Sequence, residues 1–286
     1  MNQILFNPST KKQLDQFIAR PVHALLLSGQ RGSGKSTLLD WTASSLLGID
    51  PDKLNNYPYF LKIMPNEKQI IDIDSIRQIN HFLSLKVPAD KNVSRIIAID
   101  DGDKMKQAAQ NALLKNLEEP PLSSVFILTC NDPNKLLPTI RSRTSEIRIL
   151  RPLRQQLADY LLAQGLKSTK IEQIIALSGG YPGMAIPIAF NDKQPGLLTA
   201  AETAKSILQA DKFARLSMVN ELSKNSEDFY SILEMLELMA NISLENAIGS
   251  QSRQWQLVLD RAYESKKMLD SSSNLKLTVT SFMLSI

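Results

Sequence analysis

The sequence predicts an α/β protein: a parallel sheet covered by helices on both faces in the first half of the chain, then helices alone. Three observations predict it. The apolar runs Ala24–Leu27, Arg95–Ile99 and Val125–Leu128 do not alternate with polar residues, which is the pattern of strands buried on both faces. Helix-like stretches separate them, as parallel strands require. After a last strand-like run, Glu146–Leu150, the strand pattern ends.

In chain order, a helix is expected over Thr10–Ala19, with Ser9 as a candidate cap, Leu14, Phe17 and Ile18 on one face and Pro21 as its stop. The strand Ala24–Leu27 runs into Ser28-Gly29, a glycine-rich turn and a helix starting near Lys35. Residues 49–69, rich in Pro, Asn and Asp, read as connection. A helix over Ile73–Leu83 places Ile76, Ile79, Asn80 and Leu83 on one face, and the next strand, Arg95–Ile99, ends in Asp100 and Asp101. A helix over Ala108–Glu118 leads through Pro120-Pro121 to the strand at Val125. Beyond residue 150, Arg154–Ala163, Thr169–Leu177, Phe229–Ala240 and Trp255–Leu269 carry the i, i+3, i+4, i+7 spacing of amphipathic helices. Gly179-Gly180-Tyr181-Pro182-Gly183 breaks the first helical group, and Lys193-Gln194-Pro195-Gly196 reads as a linker. The expected division is an α/β domain over 1–150, a small helical unit over 151–192 and a terminal helical domain over 196–286.

Composition narrows the class. A chain of 286 residues, 43% hydrophobic and 22% charged, is that of an ordinary globular protein with room for two or three compact units. No segment reaches the roughly 18 apolar residues of a membrane span, and the start, Met1 to Pro8, lacks a basic region followed by an apolar stretch, so a cytoplasmic protein with no membrane contact is expected. Cys130 is the only cysteine, which excludes an intrachain disulfide and any cysteine-cluster zinc site. The net charge of +4 is uneven: 19 basic and 15 acidic residues in 1–150, against 14 of each in 151–286. The excess could neutralise phosphate or a nucleic-acid backbone. A solvated surface accounts for it equally well.

The chemistry lies in the turn. Gly29-Gln30-Arg31-Gly32-Ser33-Gly34-Lys35-Ser36 has the form G-x-x-x-x-G-K-[ST], followed by Thr37. In such a loop backbone N–H groups and a helix N-terminus cradle phosphates, the lysine reaches the terminal phosphates and the hydroxyl of Ser36 holds Mg²⁺. ATP and Mg²⁺ are therefore the expected cofactors. Asp100, at the carboxyl end of a parallel strand, can hold the same Mg²⁺, and Asp101 is the candidate for orienting an attacking water. A solvated turn at Asp101-Gly102-Asp103 is the alternative. His23 and His81 have no partner at ligand spacing, and Trp41, Trp255 and Met235–Met239 read as packing residues.

Several segments in order resemble the bacterial DNA polymerase III clamp-loader subunits of the AAA+ class, and their delta-prime branch most closely. They are His23–Gly29, Ile73–Gln78, Ile99–Met105, Asn111-Ala112-Leu113-Leu114-Lys115-Asn116-Leu117-Glu118-Glu119-Pro120-Pro121, Leu137–Thr144 and the tail Asn274–Ile286. The resemblance implies an AAA+ sheet domain, a helical lid and an all-helical collar that joins sister subunits (delta, gamma/tau) in a hetero-pentamer. That assembly would act on a sliding clamp and on the backbone of primer-template DNA, and as a holoenzyme subunit the chain would be grouped with DNA-directed DNA polymerase. It further implies that Asn131 is the sensor-1 residue and that Arg143 is an arginine finger acting on ATP held by a neighbour; from the sequence alone Arg143 could equally be a surface ion pair. Three positions depart from the family's motor subunits. Asp101 stands where active ATPases usually have Glu, Gly183 stands where the lid carries an arginine, and Thr144 replaces a cysteine. The family's four-cysteine zinc module is missing. Thr144 leaves the arginine intact and changes only packing, and without the zinc module no metal is expected there; Asp101 and the missing lid arginine leave ATP hydrolysis by this chain doubtful, so a motor-type gamma/tau-like ATPase and a nucleotide-free scaffold remain as alternatives.

Overall fold

The protein is described by a computed structural model covering residues 4–66, 70–87, 92–190, 196–244, 249–271 and 273–286. It divides into two compact units, residues 1–153 and 154–286.

The first unit is built on five parallel strands, β1 (Ala24–Ser28), β2 (Phe60–Ile63), β3 (Arg95–Ile99), β4 (Ser124–Cys130) and β5 (Ser145–Arg148), in the order β2-β3-β4-β1-β5. Every residue of β1, β3 and β4 is buried because each strand feeds two cores. Leu25, Leu27, Ile96, Ala98, Val125 and Ile127 face one core with Leu14 and Phe17 of α1 (Pro8–Ala19) and Leu38, Leu39 and Leu47 of α2 (Lys35–Leu47). Ala24, Leu26, Ile97, Ile99, Phe126 and Leu128 face the other. That second core is closed by α3 (Ile73–Ser84), α4 (Gln107–Glu118) and the short α5 (Pro138–Arg141). This is why those strands show no polar alternation. The edge strand β5 buries only Ile147.

Two expectations need correction. The cap of α1 is Asn7, whose side chain accepts from the N–H of Ser9, so Ser9 lies inside the first turn; Pro8 at the first helical position suits that geometry. Residues 49–69 are not simply connection, since they contain a 3₁₀ helix at Pro51–Asn56 and the edge strand β2. β2 is four residues long and carries Lys62 among its apolar residues, which hides it from a search for apolar runs. Residues 67–69 of that stretch, and 193–195 of the expected linker, lie outside the described residues.

The described part of the second unit is helical: α6 (Arg154–Ala163), α7 (Ser168–Ser178), α8 (Pro182–Phe190), α9 (Gly196–Gln209), α10 (Lys212–Leu222), α11 (Ser226–Leu244), α12 (Ser250–Asp270) and α13 (Leu275–Ser285). Gly179 ends α7 with φ 59°, a left-handed cap. Ala201, Ala204, Phe229, Leu233, Leu236, Ala262 and Phe282 form the main core, in which the rings of Phe229 and Phe282 meet edge to face at 6.0 Å. Asn274 starts α13 by accepting from the N–H of Leu277 at 3.1 Å. Phe229 is fully buried. Phe229→Ala is expected to cost this unit about 3–5 kcal/mol, read in urea unfolding; a loss under about 1 kcal/mol would contradict this packing.

Candidate nucleotide site

Strand order decides what can meet at the carboxyl edge. β4 lies between β1 and β3, so the residue just past β4 can touch both the loop after β1 and the carboxylates after β3. That residue is Asn131.

The loop between β1 and α2 is tied to the sheet by the N–H of Gly29, which donates to the carbonyl of Cys130 at 3.1 Å. A side chain at Gly29 would press within 3.1 Å of the carbonyl of Ile149 and of Ser33 Oγ, so any larger residue there would have to push its neighbours aside. Gly34 has φ +88° with open space where a side chain would project. Ser36 and Thr37 are exposed in the first turn of α2, and Arg31 is exposed, while Gln30 and Gly32 are half-buried. Ser33 is buried, and its Oγ has no hydrogen-bond partner. An orphaned buried hydroxyl in a loop of this form suits an anionic ligand, so the loop fits a nucleotide's phosphates.

Lys35 is buried, and its Nζ donates to the carbonyl of Gln30 and to Oδ1 of Asn131, both at 2.9 Å. Burial pushes its pKa below the ordinary lysine value, and Asp101 and Asp103 oppose that fall. Nδ2 of Asn131 donates to Oδ1 of Asp101 at 3.2 Å, and its backbone N–H donates to Oδ1 of Asp103 at 3.1 Å. Asp101 has φ 52°, a left-handed conformation that Asp tolerates, and its second oxygen lies 3.8 Å from Nζ of Lys104. Asp101 and Asp103 are thus engaged side chains, not a solvated turn.

Asp100 is buried and hydrogen-bonded. Its Oδ1 accepts from Thr129 Oγ1 at 2.6 Å, and the same hydroxyl oxygen accepts from the N–H of Asp101 at 2.8 Å. Its Oδ2 lies 3.7 Å from Nζ of Lys62, which also donates to both oxygens of Asp40 at 2.7 and 3.0 Å. The metal set is therefore only half free, with Ser36 open and Asp100 already paired. Thr129→Val keeps the shape but leaves a buried carboxylate short of a donor and an N–H without an acceptor. We expect a loss of about 2–3 kcal/mol in urea unfolding; an unchanged midpoint would show that water replaces the hydroxyl. Burial also pushes the thiol of Cys130 up to about 12, so the single cysteine resists thiol reagents in the folded state.

Arg143 lies apart from these groups in its contacts. Its guanidinium pairs with Glu118 at 2.9 Å and donates to the carbonyl of Thr139 at 3.0 Å. Sequence reasoning did not find Thr129, Asp40, Lys62 or Asp103 as members of the cluster. Thr129 and Asp103 flank expected site residues and could have been found by position; Lys62 could not, because its strand was not recognised.

A parallel sheet in this order, a glycine-rich loop after β1, carboxylates after β3 and a polar residue after β4 define a P-loop protein of the AAA+ class. The same fold occurs in a DNA polymerase III gamma-subunit-related protein from Thermotoga maritima, with TM-score 0.57 at 22% identity over 95% of this chain and 96% of that one. The chain belongs to the family described as DNA polymerase III, delta subunit, whose model matches residues 7–153, just over half of it. Among curated relatives, the DNA polymerase III subunit delta' of Escherichia coli (strain K12) is 27% identical over 69% of this chain and 64% of its own length. The delta' subunit of Pseudomonas aeruginosa is 30% identical over 57% of this chain and 55% of its own. The matched region thus spans between half and two thirds of these relatives' length. Among the described residues, no helix is long and apolar enough to cross a membrane.

Proposed function

We propose that this chain is a delta-prime-like subunit of the DNA polymerase III clamp loader that holds ATP at Gly29–Thr37 without turning it over, and supplies Arg143 to a neighbouring subunit's nucleotide. The observation that carries the reading is the chain of contacts from Lys35 through Asn131 to Asp101. It couples the lysine of the loop to the groups past β3 and β4, as a site that senses a terminal phosphate needs. Gly29, Gln30, Arg31, Gly32, Ser33, Gly34, Lys35, Ser36 and Thr37 would hold the phosphates; Ser36 and Asp100 are the residues the sequence offers for Mg²⁺, and of the two Asp100 is already engaged by Lys62 and Thr129. When bound, the metal spreads the phosphates' negative charge. Asp101 is too short and too engaged to serve as a strong base, which favours a holder of nucleotide.

In this reading residues 151–192 are the lid, 196–286 the collar that joins delta and gamma/tau subunits, and the sliding clamp is touched only indirectly. Contact with primer-template DNA would be to its backbone, salt-sensitive and without sequence preference, in a cytoplasmic assembly. The test is labelled ATP with the purified chain, alone and mixed with the other loader subunits on primed DNA. Binding without turnover alone, and turnover in the mixture, is the expected result. Turnover by the chain alone would make it a motor, and no binding would make it a scaffold.

A further inference from the structure

Lys62 stands where the sheet would ordinarily bury an apolar side chain. On this face of the sheet Phe60, Ile96 and Ala98 join the core under α2, and Lys62 takes the next place along β2 with its side chain only 16% exposed. An ammonium in such a position costs several kcal/mol unless it is well paired. Here two carboxylates pair it: Asp40, bound through both oxygens, and Asp100 at 3.7 Å. Asp40 lies four residues beyond Ser36 in α2, on the same helix face. The ammonium therefore sits between the helix that carries the loop hydroxyl and the carboxylate that ends β3. With Thr129 on its other oxygen, Asp100 has a cation and a donor before any ligand arrives.

In P-loop sites generally, a carboxylate past a neighbouring strand and the loop's Ser/Thr hold the metal that bridges the phosphates. We propose that Lys62 is a positioning residue that occupies Asp100 and makes nucleotide binding by this chain nearly independent of Mg²⁺. The proposal rests on the loop being a nucleotide site. Lys35 and the loop's backbone N–H groups then answer the phosphate charge, and Asp100 contributes to the fold of the site more than to a metal. Removing the ammonium leaves Asp40 and Asp100 as two carboxylates without a cation, and that pair recruits a divalent ion.

The experiment is equilibrium binding of mant-ATP to the full chain in Mg²⁺ and in EDTA, for wild type, Lys62→Met and Lys62→Arg. We expect the wild-type Kd to differ by less than about threefold between the buffers, Lys62→Met to gain a metal dependence of about tenfold or more, and Lys62→Arg to restore the wild-type ratio. A purely structural role would shift both affinities together and leave their ratio alone. A wild-type chain that loses about tenfold or more in EDTA overturns the role of Lys62 while leaving the nucleotide site standing. So does a folded Lys62→Met that stays metal-independent, its fold judged by its melting curve. If that variant does not fold, the wild-type ratio decides alone. No binding by wild type in either buffer rejects the nucleotide reading, and this one with it.

Discussion

If the loop holds nucleotide as proposed, Lys35→Ala is expected to raise the Kd of this chain for ATP by about 100-fold or more. The side chain is only 6% exposed as a residue, and its Nζ is held by the carbonyl of Gln30 and Oδ1 of Asn131. Both acceptors are neutral, so the ammonium carries a partly desolvated charge at the mouth of the loop that Asp101 and Asp103 offset only in part, since burial still makes it easier to deprotonate. A phosphate oxygen is a better partner than an amide oxygen. Two charge-assisted hydrogen bonds, at about 1.5–3 kcal/mol each, come to 3 kcal/mol or more. At about 1.4 kcal/mol per tenfold that is the stated loss. Calorimetric titration measures it, with a melting curve to show that the variant folds. The fold should tolerate the change, because the desolvation of the charge disappears with it. Retained affinity in a folded variant would show that the loop is not the site.

How far the sequence reached depends on what each residue's neighbours are. The loop was legible because its chemistry is local: Gly29 through Ser36 carry their own spacing, and the buried runs of β1, β3 and β4 flank them. Asp100 was legible by position, at the end of a recognised strand, and Asn131 only through the family resemblance. What they touch was not. Thr129 reads as one more β-branched strand residue, yet its hydroxyl joins Asp100 to the backbone of Asp101. Lys62 breaks the apolar run of an edge strand only four residues long, and Asp40 reads as the solvated face of a helix. Their pairing depends on β2 lying beside β3, a contact between distant segments that no local pattern encodes. Asn7 displaced Ser9 as a cap for a smaller reason: two capping residues flank Pro8, and the proline selects the one before it.

In the proposed role, Arg143→Ala is expected to lower ATP turnover at a neighbouring subunit's site by about 10³-fold, seen in a reconstituted loader as loss of that site's share of the rate. The size follows from the role. A fixed cation placed against charge developing on a transferred phosphoryl group acts where water is excluded, and donors so placed carry much of the rate. In the free chain the guanidinium is about one third exposed and paired with Glu118 at 2.9 Å. Such a pair is worth about 0–1 kcal/mol, so it holds the side chain near the surface and releases it at little cost. The variant should therefore fold normally, and should bind ATP at its own loop with a Kd within about twofold of wild type, since none of its contacts reach Lys35 or Asn131. Arg143→Lys keeps the charge but loses the planar fork that meets two phosphate oxygens at once, so it should recover little. Equal incorporation of each variant into the assembly, checked by size-exclusion chromatography, separates chemistry from assembly. If assembled Arg143→Ala loader turns over ATP at the wild-type rate, the guanidinium is a surface ion pair of α4 and nothing more. If the rate falls while the loop of this chain still binds its own nucleotide, the two halves of the proposed role are separated: Lys35 holds, and Arg143 acts elsewhere.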